Sequence, residues 1–274
     1  MIVDAHHHLW DPALADYPWM NDEMASIRRR FGPEQLEPLL REHGVAGTVV
    51  VQARASLDET RALLEIADAT PFLLGVVGWV DLADPATADI LDGFGEKLVG
   101  IRHQVHDEPD PRWLLRPDVQ RGLEAVGEAG LAYDLLVRPR ELRAAFEAAR
   151  RQADTRFVVD HLAKPPIRDG AADEWARGLA ALAELSNVTC KLSGLVTEAH
   201  WSSWSRDELV PYLRRAVDWF GCERCMFGSD WPVCLLAADY GAVLSLVVEA
   251  LREDERASVL GETATRVYCL EQSR

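Results

Sequence analysis

Only five cysteines occur among the 274 residues: Cys190, Cys222, Cys225, Cys234 and Cys269. An odd number in a chain without a leader argues for reduced thiols and against a disulfide scaffold. Cys222 and Cys225 have CxxC spacing, but a zinc ribbon needs a second such pair and none is present, so this pair reads as packing beside a strand. No apolar run reaches the ~18 residues of a membrane-spanning helix. The first residues lack the basic segment and apolar stretch of a signal peptide, and a cytoplasmic protein is expected. Positive charge is also short: 29 Lys and Arg against 45 Asp and Glu leave a net charge of -16. Nucleic acid and anionic membrane surfaces are therefore poor partners. The acidic residues are spread along the chain rather than gathered in a tail, which serves solubility. Internal repeats, low-complexity tracts and interdomain linkers are missing too, so one domain over 1–274 is expected.

What is present is a recurring alternation. Apolar, β-branched runs lie at Ile2–His6, Gly47–Gln52, Leu73–Val80, Leu98–His103, Leu131–Val137, Arg156–His161, Asn187–Leu192 and Arg224–Gly228. They are nearly continuous in apolar character, as strands covered on both faces are. Helical patterns separate them: Pro33–His43, Leu57–Ala69, Pro85–Gly95, Pro117–Ala129, Pro139–Gln152, Ala172–Leu185, Arg206–Phe220 and Tyr240–Leu251. Gly44 follows the first as a C-terminal stop, and Pro139 starts the fifth at its first turn. Glu255–Tyr268 reads as an additional terminal helix. Eight strand–helix alternations predict a single α/β domain, a (β/α)8 TIM barrel. The segment Trp10–Phe31 is long for a connecting loop and carries Trp10, Tyr17, Trp19 and Met20, which predicts a partial lid.

In such a barrel, function sits at the C-terminal ends of the strands. The polar residues there are His6 and His8; Gln52 and Arg54; Trp79 and Asp81; Arg102, His103 and Gln104; Asp134 and Arg138; Asp160, His161 and Lys164; Lys191 and Ser193; Ser229 and Asp230. Alternation along the first strand points His6 and His8 one way and His7 the other. If the first and last strands are neighbours, His6, His8 and Asp230 converge. Other polar residues have plainer readings. His7 is structural, His43 complements a helix dipole, His200 belongs to a surface or lid loop, and His106 is ambiguous. Asp4 reads as a buried hydrogen-bond partner. Lys191 either contacts substrate or pairs with Asp160 or Asp230, and Cys190 beside it faces the packing layer.

The stretches VDAHHHLWDP, GWVDL, GIRHQVHDEPDPRWL, YDLLVRP, FVVDHLAKPPI, CKLSGLVTEA and MFGSDWPVC span the chain in order. With them the chain resembles the amidohydrolase superfamily, and within it amidohydrolase-related family 2, nearest to the sugar lactonases acting on L-fuconolactone or L-rhamnonolactone. The resemblance implies a hydrolase that opens a small-molecule lactone. It implies metal ligands at His6, His8, His161 and Asp230, with one divalent ion, zinc foremost, or a reaction that needs no metal. Strand 5 lacks the superfamily's histidine, and strand 4 has Arg102-His103 where two-metal members carry a carboxylated lysine, so a two-metal site is not expected. Ester hydrolysis needs a base for water and a positive group for the developing oxyanion. Asp230 is expected to be the base, with His161 and Arg102 completing the catalytic set; without metal, a protonated histidine or Arg102 would polarise the carbonyl. Gln52, Trp79, His103, Lys191 and Trp10 are expected to bind the sugar. A homo-oligomer is compatible with the sequence. An acidic lactone such as 2-pyrone-4,6-dicarboxylate stays open, with Arg54, Arg102 and Arg138 as its grip, as do a decarboxylase and an inactive binding barrel.

Overall fold

The computed structural model of the chain describes residues 1–170 and 172–270. The apolar runs form eight parallel strands: β1 (Ile2–His7), β2 (Val45–Val51), β3 (Leu73–Gly78), β4 (Leu98–His103), β5 (Ala132–Leu135), β6 (Arg156–Val159), β7 (Val188–Leu192) and β8 (Cys225–Phe227). They lie in sequence order within one sheet. The first and last meet at their C-terminal ends, where His7 bridges Trp231. His8 N donates to the Trp231 carbonyl at 2.7 Å and Asp230 N to the His6 carbonyl at 2.8 Å. These bonds join the two strand ends that carry the candidate ligands.

The helices are α1 (Pro33–Glu42), α2 (Leu57–Ala69), α3 (Thr87–Asp92), α4 (Pro117–Glu128), α5 (Leu142–Arg151), α6 (Ala172–Ala183), the single turn α7 (Leu195–Glu198), α8 (Arg206–Phe220), α9 (Tyr240–Ala250) and α10 (Thr263–Val267). The outer core packs them on the sheet, with side chains such as Leu36, Leu63, Leu123, Trp175 and Leu213 against Val50, Ile101, Phe157 and Leu192. A second, smaller core fills one end of the barrel. There Val3, Ala5, Val49, Val77, Val158 and Met226 meet Ala264, Val267, Tyr268 and Leu270 from α10 and the residues after it. No helix among the described residues is long and apolar enough to cross a membrane.

The predicted architecture holds, with three local departures. The terminal helix Glu255–Tyr268 is broken into a 3-10 turn, a π-helical turn at Ser258–Glu262 and α10. Gly261 explains the interruption: a Cβ there would lie 2.1 Å from the Met1 carbonyl oxygen, so this turn presses directly on the start of β1. Strand 6 stops at Val159, because His161, Leu162, Ala163 and Lys164 all take left-handed backbone, with φ of 52°, 52°, 57° and 51°. Simple alternation also fails in β1. A register shift between Asp4 and His7 interrupts the pleat. Asp4 reaches out to the Tyr240 hydroxyl of α9 at 3.0 Å, while His6, two residues on, turns into the barrel. Bulges re-aim side chains in this way, commonly beside active sites.

The segment from Trp10 to Phe31 is folded rather than loose. Trp10 and Phe31 pair as an antiparallel bridge, and a 3-10 helix spans Asp22–Ile27. The buried Trp10 indole donates to the carbonyls of Ile27 at 3.1 Å and Arg29 at 3.0 Å. Its ring packs edge-on against Trp19 and Phe31.

Candidate active site

His6, His161 and Asp230 offer ligand atoms that all lie within 4.8 Å of one another. His8 completes the group: its Nε2 is 3.2 Å from His6 Nε2 and 3.4 Å from Asp230 Oδ1. The backbone and neighbours aim each group. His8 Nδ1 meets the Val51 carbonyl at 2.8 Å, a contact that requires an N–H on that nitrogen and turns Nε2 toward the cluster. His161 Nδ1 contacts Ser193 Oγ at 2.9 Å, which turns its Nε2 toward Asp230 Oδ1, 3.9 Å away. Gly194 is needed beneath this ring: its φ is +68°, and a Cβ would stand 2.4 Å from His161 Nδ1. Asp230 itself has φ +56°. Left-handed backbone at non-glycine residues costs energy and persists where the surroundings demand it, often in functional sites.

Electrostatics set the protonation states. Burial would raise the Asp230 pKa, but His161, the hydrogen bond from His8 and Lys164 outweigh it and hold the carboxylate below its usual range. Burial pushes His161 down to about 4 against the pull of Asp230 and Asp160. Burial also drives His6 well below the ordinary imidazole range, opposed by Asp160 and reinforced by Lys191. At neutral pH the site therefore combines an ionised carboxylate with neutral His6 and His161. The fixed positive charge beside them is Arg102, whose Nη1 lies 3.3 Å from His6 Nε2. Among the described residues no second group of three such ligands exists. The β4 position is Arg102, and the β5 position is Asp134, bound to Lys191 and Tyr268. Imidazole nitrogens with one carboxylate suit a single divalent cation.

The cluster sits in a cavity of about 870 Å³, within the range for small-molecule sites. His8, Arg102, His161 and Asp230 line it, with Trp19, Asn21 and Met24 from the lid. Five expected substrate-binding residues do not line it, because each is satisfied elsewhere. Lys191 is fully buried beneath the cluster, bonded to Asp134 at 2.5 Å and 3.0 Å from Asp160, so the pairing alternative is the one observed. Gln52 pairs its amide with Gln104 and the Arg102 carbonyl, and Gln104 is the one that faces the cavity. Trp79 donates to His103 at 3.0 Å, and His103 contacts Glu108 at 2.7 Å and stacks on Trp113 at 4.3 Å. Trp10 holds the lid together, and Trp19 takes the wall position.

Arg138, Lys164, Arg168, Asp107, Asp169, Glu198 and Trp201 also line the cavity. Arg168, Asp169, Glu198 and Trp201 were not singled out in the sequence. Their places depend on the left-handed run after β6 and on α7, for which the residues carry no periodic signal. Lys164 and Glu198 bind at 2.6 Å and tie the two loops together. The four positive groups on the wall, Arg102, Arg138, Lys164 and Arg168, are matched by Asp107, Asp169, Glu198 and Asp230.

This arrangement has close counterparts. The chain is 42% identical to an L-fucono-1,5-lactonase of Burkholderia ambifaria over 98% of this chain and 96% of that protein. It is 40% identical to an L-fucono-1,5-lactonase of Burkholderia multivorans, with the same coverage of both. The crystal structure of an amidohydrolase from Burkholderia multivorans with bound zinc matches with a TM-score of 0.95 at 40% identity, covering 99% of this chain and 100% of that one. The amidohydrolase family model matches residues 3–270, and the chain belongs to that family.

Proposed function

We propose that the protein hydrolyses a sugar 1,5-lactone, L-fuconolactone or a stereochemically similar compound, to the aldonic acid. The carrying observation is the Asp230 carboxylate, held ionised among three inward-turned imidazoles on the wall of the cavity. The substrate class is supported by the two lactonases similar over nearly the whole chain. Asp230 accepts a proton from water as that water's oxygen attacks the lactone carbonyl carbon. The ring C–O bond then breaks, and the proton passes to the departing alkoxide. Arg102, on the cavity wall, supplies positive charge for the oxyanion. His6, His8, His161 and Asp230 would hold one divalent ion, zinc being the first candidate from the donor set. Such an ion lowers the pKa of water and polarises a carbonyl. Trp19 and Met24 of the lid offer an apolar wall to the sugar ring.

The balance of four cationic and four anionic side chains around the cavity favours a neutral lactone. A dicarboxylate would need a surplus of fixed positive charge. The expected result is a higher kcat/KM for L-fuconolactone than for 2-pyrone-4,6-dicarboxylate under identical conditions, since this ratio reports differential transition-state binding. Faster turnover of the dicarboxylate would replace the sugar lactone in this reading.

A further inference from the structure

The two loops that place His161 also carry a pair of opposite charges that the proposed chemistry does not use. Lys164 closes the left-handed run after β6: its backbone N–H donates to the His161 carbonyl at 2.8 Å, and its φ is 51°. Glu198 ends α7, the turn that starts from Gly194 beneath the His161 ring. Its backbone is pinned by its neighbours. The Glu198 carbonyl accepts from Arg168 N at 3.3 Å, the Ala199 carbonyl from the Arg168 guanidinium at 3.1 Å, and the Thr197 carbonyl from the Trp201 indole at 3.0 Å. Non-glycine residues hold left-handed backbone where their surroundings demand it. Here the run ends with Lys164 Nζ 2.6 Å from Glu198 Oε1, both residues on the cavity wall with His161 and Asp230.

The pair is incomplete as a hydrogen-bonding unit. An ammonium has three N–H groups, and Lys164 spends one on Glu198. Among the described residues, neither its other two nor Glu198 Oε2 has a hydrogen-bond partner. The side chains are only 17% and 21% exposed, so a molecule in the cavity meets charges that solvent screens in part. A donor and an acceptor held one hydrogen-bond length apart match a particular shape. Two gauche hydroxyls on neighbouring carbons of a sugar ring stand about that far apart, and each can both donate and accept. One takes a hydrogen bond from the ammonium, the other gives one to the carboxylate, and the ion pair stays intact. Hydrogen bonds to charged groups are roughly twice as strong as neutral ones. A carboxylate in the same place would be repelled by Glu198.

We propose that Lys164 and Glu198 together read one vicinal diol of the substrate ring, the ammonium donating to one hydroxyl and Glu198 Oε2 accepting from its neighbour. The assignment rests on the lactonase reading and adds to it the residues that decide which hydroxyl pattern is accepted.

Lactones that each lack one ring hydroxyl test this directly. For the wild type, the two analogues missing either member of one adjacent pair should lose about ten- to hundredfold in kcat/KM, the scale of a hydrogen bond to a charged group. In Lys164→Met and in Glu198→Met, whose new side chains cannot replace those bonds, the parent lactone should fall to the level of these two analogues. The penalty at the remaining hydroxyl should not change. Lys164 is also among the groups that keep Asp230 ionised. That effect acts on every lactone alike and cancels from ratios measured on one preparation, as does any loss of folded protein. A pair that only ties the two loops together would lower all the lactones equally. That outcome overturns the proposal, as does a set of penalties that neither variant alters. The corresponding sugar lactams resist hydrolysis, carry the same hydroxyls and give the same ratios as Kd by calorimetry. A wild type that hydrolyses no sugar lactone would remove the functional reading, while the lactam ratios would still decide this one. Lactams bound without regard to the diol, or not bound at all, would overturn it.

Discussion

Asp230 has two demands on it, to stay ionised in a buried place and to face the cavity, and its left-handed backbone serves the second. Asp230→Asn keeps the shape and removes the proton acceptor. It should leave the melting curve close to wild type and reduce kcat by about 10²–10⁴; activity within a few fold would assign the base elsewhere. Glu59 supports the site less directly. Its Oε2 accepts from the backbone amides of Ala53 and Arg54, both at 2.9 Å, and Ala53 lines the cavity. Burial outweighs these bonds and Arg54, raising its pKa from 4.5 to about 7. A folded-state value above the unfolded one means the native state holds the extra proton between them. Its contribution to stability is complete below about pH 4.5 and is lost as pH rises through about 7. Glu59→Gln cannot ionise and still accepts hydrogen bonds, so it should gain on wild type between about pH 5 and pH 8, on the order of 1–3 kcal/mol. Melts of the pair across that range measure it, and parallel curves would refute it.

Among the elements, the lid separates two tryptophans that look alike in sequence. Trp10 is buried with both indole hydrogen bonds internal to the segment, whereas Trp19 faces the cavity. Trp10→Ala should cost about 3–5 kcal/mol, the scale for emptying a buried aromatic site, and open residues 11–30 to protease. Trp19→Ala should raise KM with little change in Tm. The reverse pattern would exchange their roles. Strands and helices were legible because apolar runs and glycine or proline stops report directly on local structure. His6, His8, His161 and Asp230 were legible because strand ends converge whatever the loops do. The substrate-facing wall was not. Trp79, His103 and Gln52 occupy strand-end positions, yet each has a nearer partner on an adjacent strand or loop. Arg168 and Glu198 reach the cavity through a left-handed run and a single helical turn that no periodicity announces.

At the scale of the whole molecule, a ligand that binds only the folded cluster should stabilise the entire barrel. Zinc at about 100 times its Kd should add about 2.7 kcal/mol, seen as a rise in Tm that chelator reverses and His161→Asn abolishes; a shift retained in that variant would place the ion elsewhere. The cluster depends on the chain's two ends. Asp4 accepts from Ser229 N at 2.9 Å, across 225 residues, and Lys191 reaches His6 across 185. Synthesis runs in one direction, so His6 and His8 leave the ribosome long before the residues that give them purpose. Until β8 and the closing C-terminal turn emerge, the nascent sheet has exposed edges and an unfinished polar centre. Such a precursor lacks the assembled cluster and, with its strand edges open, is exposed to aggregation until the barrel closes.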